Sequence, residues 1–370
     1  MGNKLLVLTN SSWNVKKFRK DLIRSLCKQS YRIGVACPDI GQMNGTFDDC
    51  DVKYFETGEF TYARLNPLDF FRTLVRICRI NRSFKPDLTL SFTIKPNLLN
   101  GLICRMYGSR YIPVITGLGT SFTQTGYLPS WLCFLYKIAF KKASYVVFQN
   151  KDDRQLFLEK NIVTAQQSTL IYGSGVDSAY FKKESSMPDT PVFLLVGRLL
   201  NSKGILEYYE ASKEIANQGK ARFQLLGSYD SRHPDSISLE LFEAIKKSHI
   251  QYLGYSDEVK PVIECSSIVV LPSYREGLPK SILEALSMER PIIVSNTSGC
   301  NTFFNFSSRP GKLVQVQDAD SLQNAIEDMA IKSTEELIEM GQEGRKLVEE
   351  HFDMKIVNQQ YSTLISKSIE

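Results

Sequence analysis

Apolar and amphipathic segments alternate regularly along the first half of the chain. Short apolar runs, typical of strands buried on both faces, occur at residues 4–9, 32–37, 88–92, 111–116 and 145–149. The intervening amphipathic stretches predict helices at residues 16–30, 66–83, 93–107 and 131–143, with a further helix opening at Asp152. Strands that alternate with helices in this way predict a doubly wound parallel sheet.

The same alternation begins again after a polar run at residues 182–190. It predicts strands at residues 191–196, 222–226, 250–253, 268–271 and 291–295. It predicts helices at residues 202–217, 236–248, 320–331, 334–350 and 354–368. We therefore expect two α/β, Rossmann-like domains, at residues 1–182 and 190–352, with the polar run as the boundary.

Composition narrows the class of protein only modestly. The 370 residues are 43% hydrophobic and 23% charged, with a net charge of +5, which is an ordinary globular balance. The eight cysteines are scattered without a C-x-x-C pair, so neither a zinc ribbon nor a disulfide framework is indicated, and a reducing compartment is expected. No apolar run approaches the ~20 residues of a membrane span. We expect a cytoplasmic protein, peripheral on the inner face of the membrane.

The turn after the apolar run 268–271 carries an unusual set of charges. Pro279 fits the first position of a new helix, and Glu276 and Lys280 lie beside that helix N-terminus. Backbone N–H groups and the helix dipole favour an anion there, such as a diphosphate. A carboxylate would repel a phosphate, so Glu276 and Glu284 are predicted to accept hydrogen bonds from neutral hydroxyls. A surface turn with ordinary charges is the structural alternative.

Residues 275–284 read Arg-Glu-Gly-Leu-Pro-x-x-x-Leu-Glu. This stretch resembles the paired-glutamate signature of the family-4 retaining glycosyltransferases, whose GT-B fold has two Rossmann-like domains facing a central cleft. The resemblance implies that residues 1–182 bind the acceptor and residues 190–352 the nucleotide sugar. It also implies that a C-terminal helix at residues 353–370 crosses back to the first domain.

The resemblance assigns roles to the residues of the signature. Glu276 would orient the donor sugar as a catalytic residue, and Glu284 would hold the ribose hydroxyls. The segment between them would surround the nucleotide sugar, and its members are Gly277, Leu278, Pro279 and Lys280.

Other segments match the family less specifically. Arg198 and Lys203 follow the first strand of the second domain, where the family's arginine and lysine stabilise the departing diphosphate. Gly175 falls in a glycine segment that approaches the donor, and Tyr255 follows a strand where the family holds the nucleobase. Surface charges, an ordinary loop glycine and a packed tyrosine are the alternatives for these residues.

The first domain resembles a subgroup that builds sugars on polyprenyl-diphosphate carriers. The segments that carry this likeness are residues 15–19, 92–97 and 115–119. It implies that Arg19 and Lys95 contact an acceptor diphosphate, although each could equally be a solvated cation. Thr116 aligns with a histidine of many family members and is assigned to the acceptor site. Since the three histidines, at positions 233, 249 and 351, all lie in the second half, a mechanism dependent on that histidine is not expected.

Basic residues recur along the helices of the first domain, and residues 131–142 mix aromatic and lysine side chains. Such helices suit an anionic membrane surface, although a buried apolar face with a solvated basic face would have the same pattern. No nucleic-acid-binding module is present, so nucleic acid is not an expected partner. Asp49-Cys-Asp51 and Asp318-Ala-Asp320 have metal-site spacing, but Asp318 or Asp320 is expected to cap a helix. Neither an obligatory metal nor a cofactor is predicted.

The predicted activity is transfer of a hexosyl or N-acetylhexosaminyl group, with retention, from a nucleotide diphosphate sugar. A UDP-sugar is the expected donor, and a polyprenyl-diphosphate-linked saccharide of a surface polysaccharide or glycan is the expected acceptor. Two alternatives stay open: another GT-B enzyme such as a UDP-sugar 2-epimerase, and a non-catalytic nucleotide- or membrane-binding protein. A G-x-G-x-x-G motif after the first strand is absent, which disfavours dinucleotide binding.

Overall fold

Each half of the chain builds its own parallel β-sheet. The computed structural model describes residues 3–60, 67–119, 129–307 and 309–370. Unit 1 comprises Met1–Ser174 together with Lys355–Glu370, and unit 2 comprises Gly175–Met354.

Unit 1 holds seven strands in the spatial order β3-β2-β1-β4-β5-β6-β7, all parallel. The strands are β1 Lys4–Leu8, β2 Arg32–Cys37, β3 Val52–Glu56, β4 Leu88–Phe92, β5 Arg110–Ile115, β6 Val146–Phe148 and β7 Ser168–Leu170. Its helices are α1 Ser12–Asn14, α2 Lys20–Lys28, α3 Pro67–Phe84, α4 Ile94–Tyr107, α5 Ser130–Phe140 and α6 Lys151–Glu159. A π-helical turn, Val15–Arg19, joins α1 to α2.

Unit 2 holds six parallel strands in the order β10-β9-β8-β11-β12-β13. The strands are β8 Val192–Val196, β9 Arg222–Leu226, β10 Ile250–Tyr252, β11 Ile268–Leu271, β12 Ile292–Ser295 and β13 Gly311–Val314. The helices are α7 Ile205–Asn217, α8 Leu239–Lys246, α9 Lys260–Glu264, α10 Lys280–Ser287, α11 Ala319–Ala330 and α12 Thr334–Leu347, and α13 Met354–Ile369 starts at the end of this unit.

Alternate residues of the central strand β1 face opposite sides of the unit 1 sheet. Leu5 belongs to a buried cluster that also contains Leu22 of α2 and Ile365 of α13. Its neighbour Leu6 belongs to a second cluster with Ile77 of α3. Because side chains of successive strand residues point to opposite faces, helices must cover both sides of this sheet. The C-terminal helix α13 thus completes the core of unit 1.

The alternation of strands and helices is as predicted, with several short elements outside the predicted ranges, among them β3, β7 and α9. Strand β3 was missed because most of its residues are only half-buried at the sheet edge. Strand β7 and helix α9 were missed because three and five residues are too few to give a periodic signal.

The polar run at residues 182–190 is held on unit 2 and does not form the boundary that its composition suggested. Glu264 Oε1 accepts hydrogen bonds from the backbone N–H groups of Glu184 (3.0 Å) and Ser185 (2.6 Å). Lys260 Nζ lies 2.7 Å from Glu184 Oε1. A polar segment therefore stays ordered here because charged side chains of unit 2 satisfy its backbone and its charges.

Arg345 of α12 fastens the segment that opens unit 2 to α10. Its Nη1 donates hydrogen bonds to the carbonyls of Ser178 (2.9 Å), Phe181 (2.9 Å) and Ser287 (2.7 Å). The Ser287 hydroxyl in turn donates to the Phe181 carbonyl at 2.6 Å. One guanidinium thus joins three backbone segments, and charged donors make the stronger hydrogen bonds of proteins.

We expect Arg345→Met to lower the free energy of unfolding by about 2–3 kcal/mol, because three carbonyls would lose a charged donor. The urea denaturation midpoint measures this loss. Lys346→Met is the matched control, since Lys346 is exposed and its change is expected to stay within about 0.5 kcal/mol. Equal midpoints for the two variants would show that Arg345 does not fasten the segment.

Candidate active site

The carboxyl edge of the unit 2 sheet holds most of the donor-side residues that the sequence predicted. The strand order places β8 beside β11, which is the point where chain connections depart in opposite directions. In open α/β sheets, ligands bind outside the carboxyl ends of the strands at such a switch point. The loops that follow β8 and β11 are therefore the natural walls of a site.

Lys203 and Glu276, from these two loops, meet as an ion pair between Nζ and Oε1. The same carboxylate oxygen accepts a hydrogen bond from Ser273 Oγ at 2.7 Å. The two charged side chains keep only 22% and 15% of their surface exposed. Partial burial reduces screening by water, so this pair holds both side chains more firmly than a surface pair would.

The loop after β8 can carry these charges because its backbone turns tightly against β11. Lys203 ends a short 3-10 helix, and Gly204 follows with a φ of +71°. A Cβ on Gly204 would collide with the carbonyl oxygen of Pro272. Tyr274 N donates to the carbonyl of Ser202 at 2.9 Å, which locks the two loops together.

The loop after β12 supports Glu276 from the other side. Glu276 N donates to the carbonyl of Ser298 at 3.0 Å, and Thr297 Oγ1 donates to the carbonyl of Tyr274 at 2.9 Å. Gly299 has a φ of +82°, and a Cβ there would collide with the carbonyl oxygen of Glu276. Backbone contact of this kind requires glycine.

Helix α10 opens beside this carboxylate. Pro279 is extended, with φ −73° and ψ 118°, so it precedes the helix and does not occupy the first helical position that the sequence predicted. Proline has no side-chain acceptor, so it does not cap the helix. Gly277 and Leu278 lie in the turn just before it, and Lys280 is the first helical residue.

Glu284 lies one helical turn after Lys280, and it is 8% exposed. Tyr180 is near this carboxylate: the pKa of its hydroxyl is raised chiefly by a hydrogen bond to Glu258, with Glu284 adding to the shift. Tyr180 donates to Glu258 Oε2 at 2.7 Å. Tyr180 was not predicted, because a single aromatic residue in a polar segment has no periodic partners.

Gly175, Arg198 and Tyr255 occupy three different environments. Arg198 is exposed two residues after β8 and forms no ion pair with any residue that the structure describes. Gly175 has a φ of +69°, and a Cβ would lie 2.7 Å from Met354 Cα, so its position has a backbone requirement of its own. Tyr255 is 56% exposed after edge strand β10 and donates to Asp257 Oδ1 at 2.7 Å. Two strands separate β10 from β11.

Cys300 is fully buried near the ion pair. Burial raises the pKa of its thiol well above the ordinary value, and the Glu276 carboxylate raises it further. The thiol therefore stays protonated, which makes Cys300 unsuited to act as a nucleophile.

The unit 1 residues that the sequence predicted to bind the acceptor lie along the carboxyl edge of its own sheet. Lys95 is in the first turn of α4, and burial lowers the pKa of its ammonium group. Thr93, just before that helix, has a φ of +72°, which is unusual for a β-branched residue and marks local strain. Thr116 follows β5 and is half-buried.

Arg19 is buried, in contrast to the solvated cation that the sequence allowed. It is 3% exposed, and its guanidinium carbon lies 3.9 Å above the centre of the Phe92 ring. Burial lowers the pKa of Arg19 to about 10, opposed by the nearby Tyr361 of α13. Its Nε has no hydrogen-bond partner among the residues described.

The two Asp-x-Asp segments have structural roles. Asp318 Oδ1 accepts from Ser321 N at 2.8 Å and caps α11, as predicted, while Asp49 pairs with Arg24 at 3.0 Å. Within residues 3–60, 67–119, 129–307 and 309–370, no group of three or more His, Cys, Asp or Glu side chains is arranged to hold a metal ion.

Two family models together match most of the chain. The model described as "Glycosyl transferases group 1" matches residues 190–331, and the model described as "Glycosyl transferase 4-like" matches residues 4–150. The chain belongs to the family-4 glycosyltransferases with the GT-B fold. The predicted family, fold class and enzyme class are thereby confirmed.

Similar glycosyltransferases include two that are named for sugars linked to undecaprenol diphosphate. One is the N,N'-diacetylbacillosaminyl-diphospho-undecaprenol alpha-1,3-N-acetylgalactosaminyltransferase of Campylobacter jejuni, 27% identical over 79% of this chain and 80% of that protein. Another is the UDP-Gal:alpha-D-GlcNAc-diphosphoundecaprenol alpha-1,3-galactosyltransferase of Escherichia coli, 24% identical over 81% and 80%.

Solved structures support the GT-B fold of this glycosyltransferase. Sucrose-phosphate synthase from Thermosynechococcus elongatus superposes with a TM-score of 0.80 at 18% identity, covering 99% of both chains. Anabaena HepE, in complex with UDP and glucose, superposes with a TM-score of 0.79 at 16% identity, covering 99% of this chain and 100% of that one.

We expect Gly299→Ala to destabilise the protein more than Gly219→Ala does. Both glycines have a positive φ, which costs about 1–2 kcal/mol for alanine. Only at Gly299 would the new methyl group also press on the Glu276 backbone, at an added cost of about 1–3 kcal/mol. Urea denaturation of the two variants measures the difference. Equal losses would mean that the Glu276 loop moves aside without cost.

Proposed function

We propose that this glycosyltransferase moves a sugar from a UDP-sugar, with retention, to a polyprenyl-diphosphate-linked saccharide. The observation that carries the donor side is the Lys203–Glu276 ion pair on the carboxyl edge of β8 and β11, with Arg198 on the same loop as Lys203. The names of two relatives that act on undecaprenol-diphosphate-linked sugars support the acceptor class.

The chemistry follows from the charges of that edge. Cleavage of the bond between the sugar and the diphosphate leaves negative charge on the departing nucleotide, and Arg198 and Lys203 would neutralise it. Glu276 would accept hydrogen bonds from donor-sugar hydroxyls, and Glu284 from the ribose. The acceptor hydroxyl would attack from the face that the nucleotide leaves, with its proton passing to the departing phosphate. No protein nucleophile, metal or cofactor is required in this scheme.

The remaining donor contacts are assigned by position. Gly277, Leu278, Pro279 and Lys280 form the turn and helix start that would receive the diphosphate. Tyr255 is proposed to lie near the nucleobase, and Gly175 near the donor.

In unit 1, Lys95 is proposed to contact the acceptor diphosphate directly, because it is only partly buried in the first turn of α4. Arg19 is proposed to attract the acceptor diphosphate through its electrostatic field and without direct contact, since its guanidinium is buried against Phe92. Thr116 is proposed to hydrogen-bond the acceptor.

The test is UDP release from a panel of UDP-sugars, with and without a lipid extract that supplies polyprenyl-linked saccharides. We expect release that depends on the lipid, and Arg198→Ala and Lys203→Ala are each expected to lower turnover by about 10²–10³-fold. Lys220→Ala, at an exposed lysine of unit 2, is the matched control and is expected to keep full turnover. Near-normal turnover in either site variant would remove that residue from the scheme. Conversion of the donor without any acceptor would instead favour an epimerase.

We further propose that α5 rests on an anionic membrane surface on the cytoplasmic side. Trp131 and Phe134 are each 62% exposed, and Lys137 is exposed on the same helix, whereas Leu132 and Tyr136 are buried in unit 1. Aromatic side chains beside lysines suit the boundary between headgroups and acyl chains. In the described part of the chain, no helix is both long enough and apolar enough to cross a bilayer, so this contact would be peripheral.

Flotation with liposomes that contain phosphatidylserine tests this contact. We expect the Trp131→Ala, Phe134→Ala double variant to lose most of its liposome binding, because each substitution removes apolar area that would be buried in the bilayer. Ile331→Ala is the control, since Ile331 is 77% exposed on unit 2. Binding that is unchanged in the double variant, or insensitive to salt, would contradict the proposal.

A further inference from the structure

The loop that follows β9 is attached to the loop that carries Arg198 and Lys203. Leu199 N donates to the carbonyl of Ser228 at 3.0 Å, and Asn201 N donates to the carbonyl of Asp235 at 2.8 Å. The Ser202 hydroxyl also donates to the Asp235 carboxylate. Because β9 neighbours β8, the residues between 228 and 235 are held at the same carboxyl edge as the proposed diphosphate site.

His233 occupies this second loop with a defined ring orientation. Its Nδ1 accepts a hydrogen bond from Asp235 N at 3.1 Å. The backbone N–H of His233 donates to the carbonyl of Asp230 at 3.1 Å, and the backbone carbonyl of His233 accepts from Ser236 N at 3.0 Å. Since Nδ1 is the acceptor, the proton of the neutral imidazole is on Nε2.

Burial and the nearby charges act on the His233 imidazole in opposite directions. Burial lowers the pKa of His233, and the nearby Arg198 guanidinium lowers it further, whereas Asp235 and Asp230 raise it. Both carboxylates are already engaged: Asp235 accepts from Ser202, and Asp230 pairs with Arg232 at 3.2 Å. The imidazole is therefore neutral near pH 7, beside an arginine that has no ion-pair partner in the described structure.

The other two histidines have different surroundings. His249 Nε2 lies 2.7 Å from Ser212 Oγ, and its ring stacks on Tyr209. His351 stacks on Phe306. Among the three histidines, His233 is the one tied to the loop that carries Arg198.

We propose that His233 binds the diphosphate of the nucleotide beside Arg198, donating a hydrogen bond from Nε2 and taking up a proton as the nucleotide binds. This inference rests on the proposed function, because it needs a nucleoside diphosphate at the carboxyl edge of β8. His233 would be a third cationic donor beside Arg198 and Lys203, supplied by the loop that follows the neighbouring strand β9.

The sign of the effect follows from the charges. A bound diphosphate offsets the field of Arg198, so the pKa of His233 rises on binding. A group whose pKa rises on binding makes the ligand bind more tightly below its pKa in the free protein, and this gain is lost as pH rises through its pKa in the complex. Each unit of pKa increase corresponds to up to about tenfold in affinity.

The experiment follows the imidazole resonances by ¹H–¹³C NMR from pH 5 to 8, with and without UDP. The chain has only three histidines, so the spectrum contains few signals, and the His233 signal is assigned by its absence in His233→Asn. We expect the His233 pKa to rise by about one unit or more with UDP, while the pKa of His249 stays within about 0.3 unit.

Calorimetry gives an independent measure on the same samples. His233→Asn keeps an acceptor for Asp235 N but lacks the Nε2 donor, so the loop is retained and the contact is lost. The UDP affinity of the variant is expected to vary less with pH, because the contribution of the His233 imidazole is absent. What remains is the protonation of the phosphate itself, whose second pKa is about 6.

The outcomes separate the two proposals. If UDP binds but the His233 pKa does not move, the inference fails while the proposed donor site stands. If His233→Asn binds UDP with the same pH dependence as the unchanged protein, the inference also fails. If UDP does not bind at all, the proposed donor itself is wrong, and the inference falls with it.

Discussion

The proposed donor site depends on backbone segments that touch at the carboxyl edge of the unit 2 sheet. Gly204 lies against the carbonyl of Pro272, and Gly299 lies against the carbonyl of Glu276. These contacts bring the loops after β8, β11 and β12 into direct backbone contact. Only then can Lys203 reach Glu276, because a side chain at either glycine would separate the loops by the width of a methyl group.

The two sheets share an architecture but differ in how they treat charge at that edge. Each has its switch point where its first strand neighbours a later one, β1 with β4 and β8 with β11. In unit 2 two of the charged groups, Lys203 and Glu276, are mostly buried and paired with each other, while Arg198 is exposed. In unit 1 the guanidinium of Arg19 is buried on Phe92, and desolvation is the main influence on its pKa. A buried cation of this kind acts through its field more than through direct contact.

Much of the fold could be predicted from the sequence, since buried parallel strands leave continuous apolar runs. Glu276 and Lys203 could also be placed at strand ends, because each follows an apolar run by a few residues. Their meeting could not be predicted, since it depends on contacts between glycines and carbonyls of distant segments. Nor could the attachment of the polar run at 182–190, because Glu264, which holds it, lies some eighty residues further along the chain. His233 was overlooked because a lone histidine in a polar loop carries no pattern.

The composition of unit 1 from two stretches of chain has a consequence for biosynthesis. Its core requires Tyr361 and Ile365, so that core stays incomplete while the ribosome makes the whole of unit 2. The apolar face of the unit 1 sheet stays exposed until α13 has been synthesised, and an exposed apolar face favours aggregation. A fragment that stops at Ser174 would keep that face uncovered permanently, so unit 1 is better obtained by joining its two stretches through a short linker.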